Sequence, residues 1–195
     1  DGVDDEIVAT KYDLTSEYTY SAWVKGASAP TTGAFAQTAI VQIDSRDALN
    51  FTWDGANEQQ TVSAVHRTGA LSYIYVQPTS SSTIVANTWY LFTATWDGSN
   101  VRMYINGVLE DTEAATDIAT PTSGDFYIVR NNAIADFTGQ VDDVRVYNRA
   151  LSADEVKKLY KLGGTTHINK TLSTTDLENG LVGHWTFDGK DLKEN

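Results

Sequence analysis

The chain has 195 residues, of which 41% are apolar, so it can form one sandwich-sized domain or two small ones. With 26 acidic against 14 basic side chains, its formal charge of -12 argues against binding to nucleic acid or to an anionic membrane surface. It contains no cysteine, which excludes disulfides and thiolate metal sites, and it has no apolar run long enough to predict a membrane span.

Short runs rich in Val, Ile, Thr, Tyr and Trp, separated by Gly, Asn, Asp and Ser, predict an all-β sandwich. In EYTYSAWVK (17–25), the even-numbered residues from Tyr18 to Val24 alternate with the odd-numbered residues from Thr19 to Lys25, which predicts a strand with two different faces. Further strands are predicted over 38–44, 48–53, 61–67, 71–77 and 89–97.

The turns between these strands have clear signals. Asn106-Gly107 lies between two apolar runs, and both residues tolerate the positive φ that a type I′ hairpin turn requires. WDG occurs at 53–55 and again at 96–98, and the Asp-Gly pair favours the same kind of turn. We therefore expect hairpins at these places.

The C-terminal part of the sequence predicts one helix, a linker and a last strand. In LSADEVKKLYKLGG, Ser152 can cap a helix over 152–161, Glu155 can complete the capping box, and the glycine pair Gly163-Gly164 ends the helix. The polar segment that follows, up to residue 179, is typical of a linker. GLVGHWTFDG (180–189) then predicts a strand with Leu181, Gly183, Trp185 and Phe187 on one face.

Catalytic signals are weak. Glycoside hydrolases need two carboxylates across a cleft, and the only dense acidic cluster away from the N-terminus is LEDTE, with Glu110, Asp111 and Glu113. A solvated strand end is the favoured interpretation of this cluster. The histidines have no metal-ligand or nucleophile spacing; they are His66, His167 and His184.

Two kinds of binding site remain open. Acidic clusters at 1–6, 141–143 and 187–191 mix Asp with Gly or lie at strand ends, as calcium sites do, although a chain this acidic forms such clusters by composition alone. Aromatic side chains could stack on sugar rings, and the residues of this kind are Trp53, Tyr73, Tyr75, Trp89, Trp96 and Tyr127. The candidates chosen from them are Trp53, Tyr73 and Tyr75. Core packing is the alternative for each of them.

Three stretches together resemble the laminin G-like, pentraxin-related family of concanavalin A-like lectin domains: residues 18–28, 87–111 and, most specifically, FTGQVDDVRVYNRALSADEVKKLY (137–160). The resemblance implies a two-sheet antiparallel jelly roll, usually with one calcium ion. It also implies Asp142 as a metal ligand and Asp188 as a second. Family members bind carbohydrate or protein, or act as spacers, and the hydrolase branch's catalytic carboxylates are absent at the matching strand.

In that family a GLVxxWxFD strand opens the domain, whereas here it lies near the C-terminus. We therefore divide the chain into a jelly-roll domain (1–162), a polar linker (163–179) and a displaced first strand (180–195). This strand could close its own fold, or that of a neighbouring copy, through Leu181, Trp185 and Phe187.

The leading hypothesis is a non-catalytic, secreted or cell-surface lectin-like module with a structural calcium ion. It would bind a glycan or a surface protein as one unit of a repeat protein. The alternative is a structural repeat or filament subunit that exchanges residues 180–190 with neighbouring copies of itself. A glycoside hydrolase that uses Glu110, Asp111 or Glu113 is a third, weaker hypothesis.

Overall fold

The computed structural model describes residues 7–9, 17–26, 36–43, 47–54, 59–68, 72–76, 84–115, 126–130, 139–163 and 175–186. These residues form strands β1 (Ile7–Ala9), β2 (Tyr18–Gly26), β3 (Ala36–Ile43), β4 (Asp47–Asp54), β5 (Gln59–Thr68), β6 (Ser72–Val76), β7 (Tyr90–Trp96), β8 (Asn100–Ile105), β9 (Val108–Ala114), β10 (Phe126–Arg130), β11 (Gly139–Tyr147) and β12 (Leu181–Trp185), and helices α1 (Ala153–Gly163) and α2 (Thr175–Glu178). None of these helices is long and apolar enough to span a bilayer.

The strands form two antiparallel sheets of six strands each, which confirms the predicted all-β jelly-roll sandwich. The first sheet has the order β1-β10-β3-β4-β5-β6, and the second has the order β12-β11-β2-β7-β8-β9. Both residues of the predicted hairpin turn have positive φ, 52° at Asn106 and 78° at Gly107. They join β8 to β9 as the sequence indicates.

The main core lies between the two sheets. The even-numbered residues of β2 from Tyr18 to Val24 face it, so the predicted alternation is confirmed, and Tyr18 stacks on Tyr20 with ring centroids 5.0 Å apart. Trp96 on β7 packs against Tyr18, while the first sheet contributes aliphatic residues and Phe126 from β10. Aromatic side chains of the second sheet thus fill much of the space between the sheets.

The other face of the second sheet is covered by the two helices. Leu91 and Tyr104 of the sheet are buried in a second apolar cluster, to which the helical segment contributes Leu151, Val156, Leu159 and Leu177. Thr19 and Ser21 lie on this face of β2 and are buried as well. The alternating pattern of β2 therefore reflects two covered faces, and not one core face and one solvent face.

Helix α1 begins with the predicted capping box. The Glu155 carboxylate accepts a 2.8 Å hydrogen bond from the backbone N–H of Ser152, and the Ser152 hydroxyl accepts one from the N–H of Glu155. Just before the helix, the Thr19 hydroxyl donates to the carbonyl of Arg149 and accepts from the N–H of Leu151, both at 2.9 Å. These bonds attach the start of α1 to the middle of the second sheet.

Strand β12 pairs with β11 of its own chain and forms one edge of the second sheet. Trp185 stacks on Phe126 of the first sheet, with ring centroids 5.2 Å apart and an interplanar angle of 11°. The prediction that Leu181 and Trp185 share a face is wrong. The register shifts between Val146 and Tyr147 of β11, so that Leu181 joins the helix-covered cluster while Trp185 faces the main core.

The predicted linker is partly helical. Helix α2 lies within residues 163–179, and its Leu177 is buried against α1 and the second sheet. The sequence signal was missed because a four-residue helix has too little periodicity to recognise. Residues 164–174, Phe187 and Asp188 lie outside the described residues, and the domain division and strand exchange with another copy both remain predictions.

We expect Trp185→Ala to lower the free energy of unfolding by about 2–4 kcal/mol, because it removes a half-buried indole that joins the two sheets. Urea denaturation measures this change. Trp89→Ala is the matched control, since Trp89 is 38% exposed, and it should change stability by under about 1 kcal/mol. Equal effects of the two substitutions would contradict a structural role for β12 in this fold.

Light scattering on the same proteins tests strand exchange, which predicts that loss of Trp185 shifts oligomers toward monomers.

The Glu155 carboxylate predicts a specific pH dependence. Hydrogen bonds from Arg149, aided by those from Ser152, lower its pKa from 4.5 to about 2. Because the folded-state pKa is depressed, this carboxylate stabilises the fold above about pH 4.5, and its contribution is lost as the pH falls toward 2.

Glu155→Gln should therefore be less stable than the wild type near pH 6, and the difference should shrink between pH 4.5 and pH 2. Urea midpoints measured across this range give the difference. Glu113→Gln, on exposed β9, controls for the general effect of removing one negative charge. A Glu155→Gln difference that stays constant with pH would rule out the proposed contribution of the Arg149–Glu155 pair.

Candidate functional site

The outer face of the first sheet differs from that of the second, because no described helix packs on it. The strand registers place one row of residues straight across this face. From one edge of the sheet to the other, the row consists of Val8, Tyr127, Gln42, Ala48, Val65 and Tyr75. Its members alternate along their strands with residues that face the core, such as Ile128, Val41 and Val76.

The predicted sugar-stacking residues divide between the two faces of the first sheet. Tyr73 and Tyr75 occupy the β6 positions that alternate with Ile74 and Val76, both of which pack in the core. Trp53 pairs in register with Gln60 of β5. Gln60 is two residues from core-facing Val62, so this pair of positions lies on the core side of the sheet. The backbone pattern therefore brings Tyr73 and Tyr75 to the outer face but not Trp53. Sugar binding by all three remains a prediction.

Exposure varies across this outer face. Val8 at the edge is 54% exposed and Tyr127 is partly exposed, whereas Gln42 is buried at 6%. In the adjacent row, Ser63 is fully buried, and its hydroxyl has no hydrogen-bond partner within the described part of the chain. Gln42 and Ser63 are therefore shielded from solvent, and the exposure shown for this face lies at Val8 and Tyr127.

A second polar cluster lies on β11 and β12, next to the predicted calcium ligand. The β11 register shifts between Asp142 and Arg145, and Asp143 has a left-handed φ of 48°. Its Oδ1 accepts hydrogen bonds from Arg145 Nε at 3.0 Å and interacts with His184 Nε2 at 2.5 Å. Burial raises the pKa of the Asp143 carboxyl, but the hydrogen bond from His184 and the charge of Arg145 outweigh it and lower that pKa.

This geometry bears on the calcium prediction. Asp143 forms an ion pair with Arg145, and the same carboxylate oxygen is engaged by His184, so Asp143 does not suit a calcium ligand. Asp142 uses Oδ1 to accept the backbone N–H of Asp143 at 2.7 Å. The described residues contain no group of three or more acids and histidines that could hold a metal ion. They do not complete a calcium site by themselves, and the second predicted ligand, Asp188, is not among them.

The three candidate catalytic acids lie on β9, the edge strand of the second sheet. Asp111 Oδ1 accepts the N–H of Thr112, its own neighbour, and Glu113 is exposed. Glu110 falls at a shift in the β8–β9 register. Charges along an edge strand discourage pairing with another sheet, which is sufficient reason for their presence here.

The histidines do not come together in the described structure. His184 is the partner of Asp143, His66 lies on β5 in the other sheet, and His167 falls outside the described ranges. The pairing of His184 with Asp143 could not be found from sequence, because it depends on the bulge in β11 and on the docking of β12.

Residues 1–157 match the family model of the concanavalin A-like lectin/glucanases superfamily, of the laminin G type. Because the match covers most of the 195 residues, the chain belongs to this superfamily. It is a concanavalin A-like lectin domain, although the superfamily's description also includes glucanases. No curated protein matches the chain in sequence.

Three solved structures show the same fold. A putative carbohydrate-binding protein from Bacteroides ovatus superposes with a TM-score of 0.67 and 17% identity, over 98% of this chain and 52% of its own. The binding domain of Paraclostridial Mosquitocidal Protein 1 has a TM-score of 0.66 and 16% identity, over 84% of this chain and 42% of its own. Domain 4 of AbnA, a GH43 extracellular arabinanase from Geobacillus stearothermophilus solved with arabinotriose, has a TM-score of 0.53 and 22% identity, over 74% of this chain and 66% of its own.

The chain thus spans about half the length of the first two of these structures. All three are described as binding proteins or as a domain with a bound sugar, and they share a fold with this chain at low sequence identity. At this level of identity the likeness defines the architecture only, and the function has to be argued from the residues of this chain.

Proposed function

We propose that the chain is a non-catalytic carbohydrate-binding module of a secreted or cell-surface protein, with its sugar site on the outer face of the first sheet. The observation that carries this proposal is the difference between the two outer faces. Helices α1 and α2 cover the second sheet, whereas no described helix packs on the first sheet, where Val8 is exposed and Tyr127 is partly exposed. A sugar can reach a broad sheet face only where no helix occupies it.

The residue types on this face are suited to sugars. Tyrosines, here Tyr75 and Tyr127, can contact the C–H face of a sugar ring, and their hydroxyls can form hydrogen bonds. Arg67, a second polar residue type on this sheet, pairs in register with Tyr73. Similar folds in a carbohydrate-binding protein and in an arabinotriose complex support the choice of ligand class. The proposal extends to adhesion, with a glycan on another surface as the partner.

The positions of the three candidate acids favour binding over hydrolysis. Glu110, Asp111 and Glu113 lie at the edge of the second sheet, whereas the proposed sugar site is on the outer face of the first. A glycosidase needs both carboxylates at the scissile bond of the bound sugar. The position of these acids therefore supports a non-catalytic module.

Isothermal titration with arabinotriose and a panel of neutral oligosaccharides tests the site. We expect Tyr75→Ala and Tyr73→Ala each to weaken binding of a recognised neutral sugar by about tenfold, since each removes one ring contact. Trp89→Ala, which changes an exposed aromatic residue on the second sheet, should leave that affinity unchanged. Wild-type binding that both tyrosine variants retain in full would place the site elsewhere, and no binding to any neutral sugar would remove the proposal.

We also propose that the fold binds one structural calcium ion through Asp142, with the remaining ligands from residues outside the described ranges, Asp188 among them. A ligand that binds only the folded state raises its melting temperature. Calcium should therefore raise the melting temperature of the wild type, and a chelator should reverse the change.

Asp142→Asn should abolish the calcium response, whereas Asp143→Asn should retain it because Asp143 is already engaged by Arg145 and His184. Differential scanning calorimetry with and without calcium measures both variants against their own metal-free state. A wild-type melting temperature that does not respond to calcium would refute the metal site. A calcium response that is lost in Asp143→Asn but kept in Asp142→Asn would show that Asp143, and not Asp142, is the ligand.

A further inference from the structure

A second exposed surface lies at one end of the second sheet, where an aromatic ring stands beside a cation. Trp89 precedes β7 and is 38% exposed, and Lys25 Nζ lies 5.5 Å from the centre of its ring. Lys25 pairs in register with Gln140 on β11, which is exposed. These three residues are here called the indole platform; Gln140 and Lys25 lie on the neighbouring strands β11 and β2, and Trp89 lies just before the next strand, β7.

The backbone holds Trp89 in place from both sides. The N–H of Asn87 donates a 2.7 Å hydrogen bond to the carbonyl of Gly26, which requires the left-handed φ of 60° at Asn87. The N–H of Val85 donates to the Tyr90 hydroxyl at 3.1 Å, and Ile84 is buried in the core. The indole is therefore held in place by a well-anchored loop, and a rigidly supported ring can contact a ligand without being ordered first.

The charge on the platform is not neutralised by the described part of the protein. Lys25 has no carboxylate partner among the described residues, and its ammonium group lies over the Trp89 ring. In a chain of net charge -12, an ammonium group left without an acid next to an exposed indole favours an anionic ligand.

We propose that the indole platform binds an acidic sugar, that is, a pyranose with a carboxylate group such as a uronic or sialic acid. The indole contacts the apolar face of the sugar ring, Lys25 pairs with the carboxylate, and the Gln140 amide bonds to a hydroxyl. A cation–π contact at an exposed position is weak, so the ammonium can turn to the carboxylate while the ring remains in contact with the sugar. This inference rests on the proposed function only in taking a carbohydrate as the ligand, and it concerns a different surface.

Titration calorimetry with matched acidic and neutral sugars tests the proposal. The probes are tetragalacturonic acid with its methyl ester, and sialyllactose with lactose, so that each pair differs in its carboxylate group. The wild type should bind at least one acid about tenfold or more tightly than its neutral counterpart, with the difference decreasing at high salt. Lys25→Gln should remove this preference, Lys25→Arg should retain it, and Trp89→Ala should weaken binding of the acid by a similar factor.

Lys157→Gln, which removes an exposed lysine of α1 outside both proposed sites, is the matched control and should leave acid binding unchanged. Tyr73→Ala and Tyr75→Ala are measured in parallel to separate the two surfaces. Equal binding of both members of each pair by the wild type, or a preference that survives in Lys25→Gln, would overturn the inference. If the tyrosine variants lose binding of the acidic sugar and Trp89→Ala keeps it, the acidic sugar binds to the first sheet. That result would overturn the indole-platform proposal and support the proposed site on the first sheet. Acid binding that follows the platform variants, without any neutral-sugar binding, would confirm the platform and refute the first-sheet site.

Discussion

The attachment of helix α1 to the second sheet determines which surfaces of this sandwich can bind a ligand, and the Arg149 side chain is central to it. Its guanidinium forms two hydrogen bonds with the Glu155 carboxylate, at 2.7 and 3.0 Å, and donates from Nε to the carbonyl of Asn179 at 2.7 Å. One side chain thus joins the first turn of α1 to the turn that precedes β12. Because helix and closing strand share this residue, the cover on the second sheet and its outermost strand are structurally linked.

The two faces of the second sheet are buried by different kinds of side chain. Tyr20 and Trp96 fill the space between the sheets, whereas Ser21 and Thr93, on the helix side, form a buried hydrogen bond of 3.1 Å between their hydroxyls. Small hydroxyl side chains allow a helix to approach a sheet closely and still satisfy each other's hydrogen bonds. The close approach is visible at Gly163, where a Cβ would lie 2.0 Å from Trp23 Nε1. With this face closed, broad contact with a ligand is left to the first sheet and to the sheet ends.

The sequence was sufficient wherever structure follows from local chemistry, as in the Asn106-Gly107 turn and the Ser152–Glu155 capping box. It was insufficient wherever pairing between distant strands decides the outcome. The bulge that separates Leu181 from Trp185 depends on how β12 pairs with β11, and alternation along β12 alone cannot reveal it. The same holds for the candidate sites. Tyr75 and Tyr127 lie 52 positions apart in the chain, and only the registers of the first sheet bring them into one row.

Both proposed binding surfaces lie apart from the contacts that stabilise the fold, and this separation suits a binding module. The core packs Tyr18 against Trp96, and the Trp185–Phe126 stack joins the two sheets, so none of these aromatic groups is available to a ligand. Trp89 and Lys25 are supported by backbone hydrogen bonds of the sheet end, and their own side chains contribute little to the core. Substitutions at such positions can therefore alter the ligand without loss of the fold. In a strongly acidic chain, we expect Lys25, which has no carboxylate partner among the described residues, to favour a charged sugar over a neutral one at the Trp89 indole.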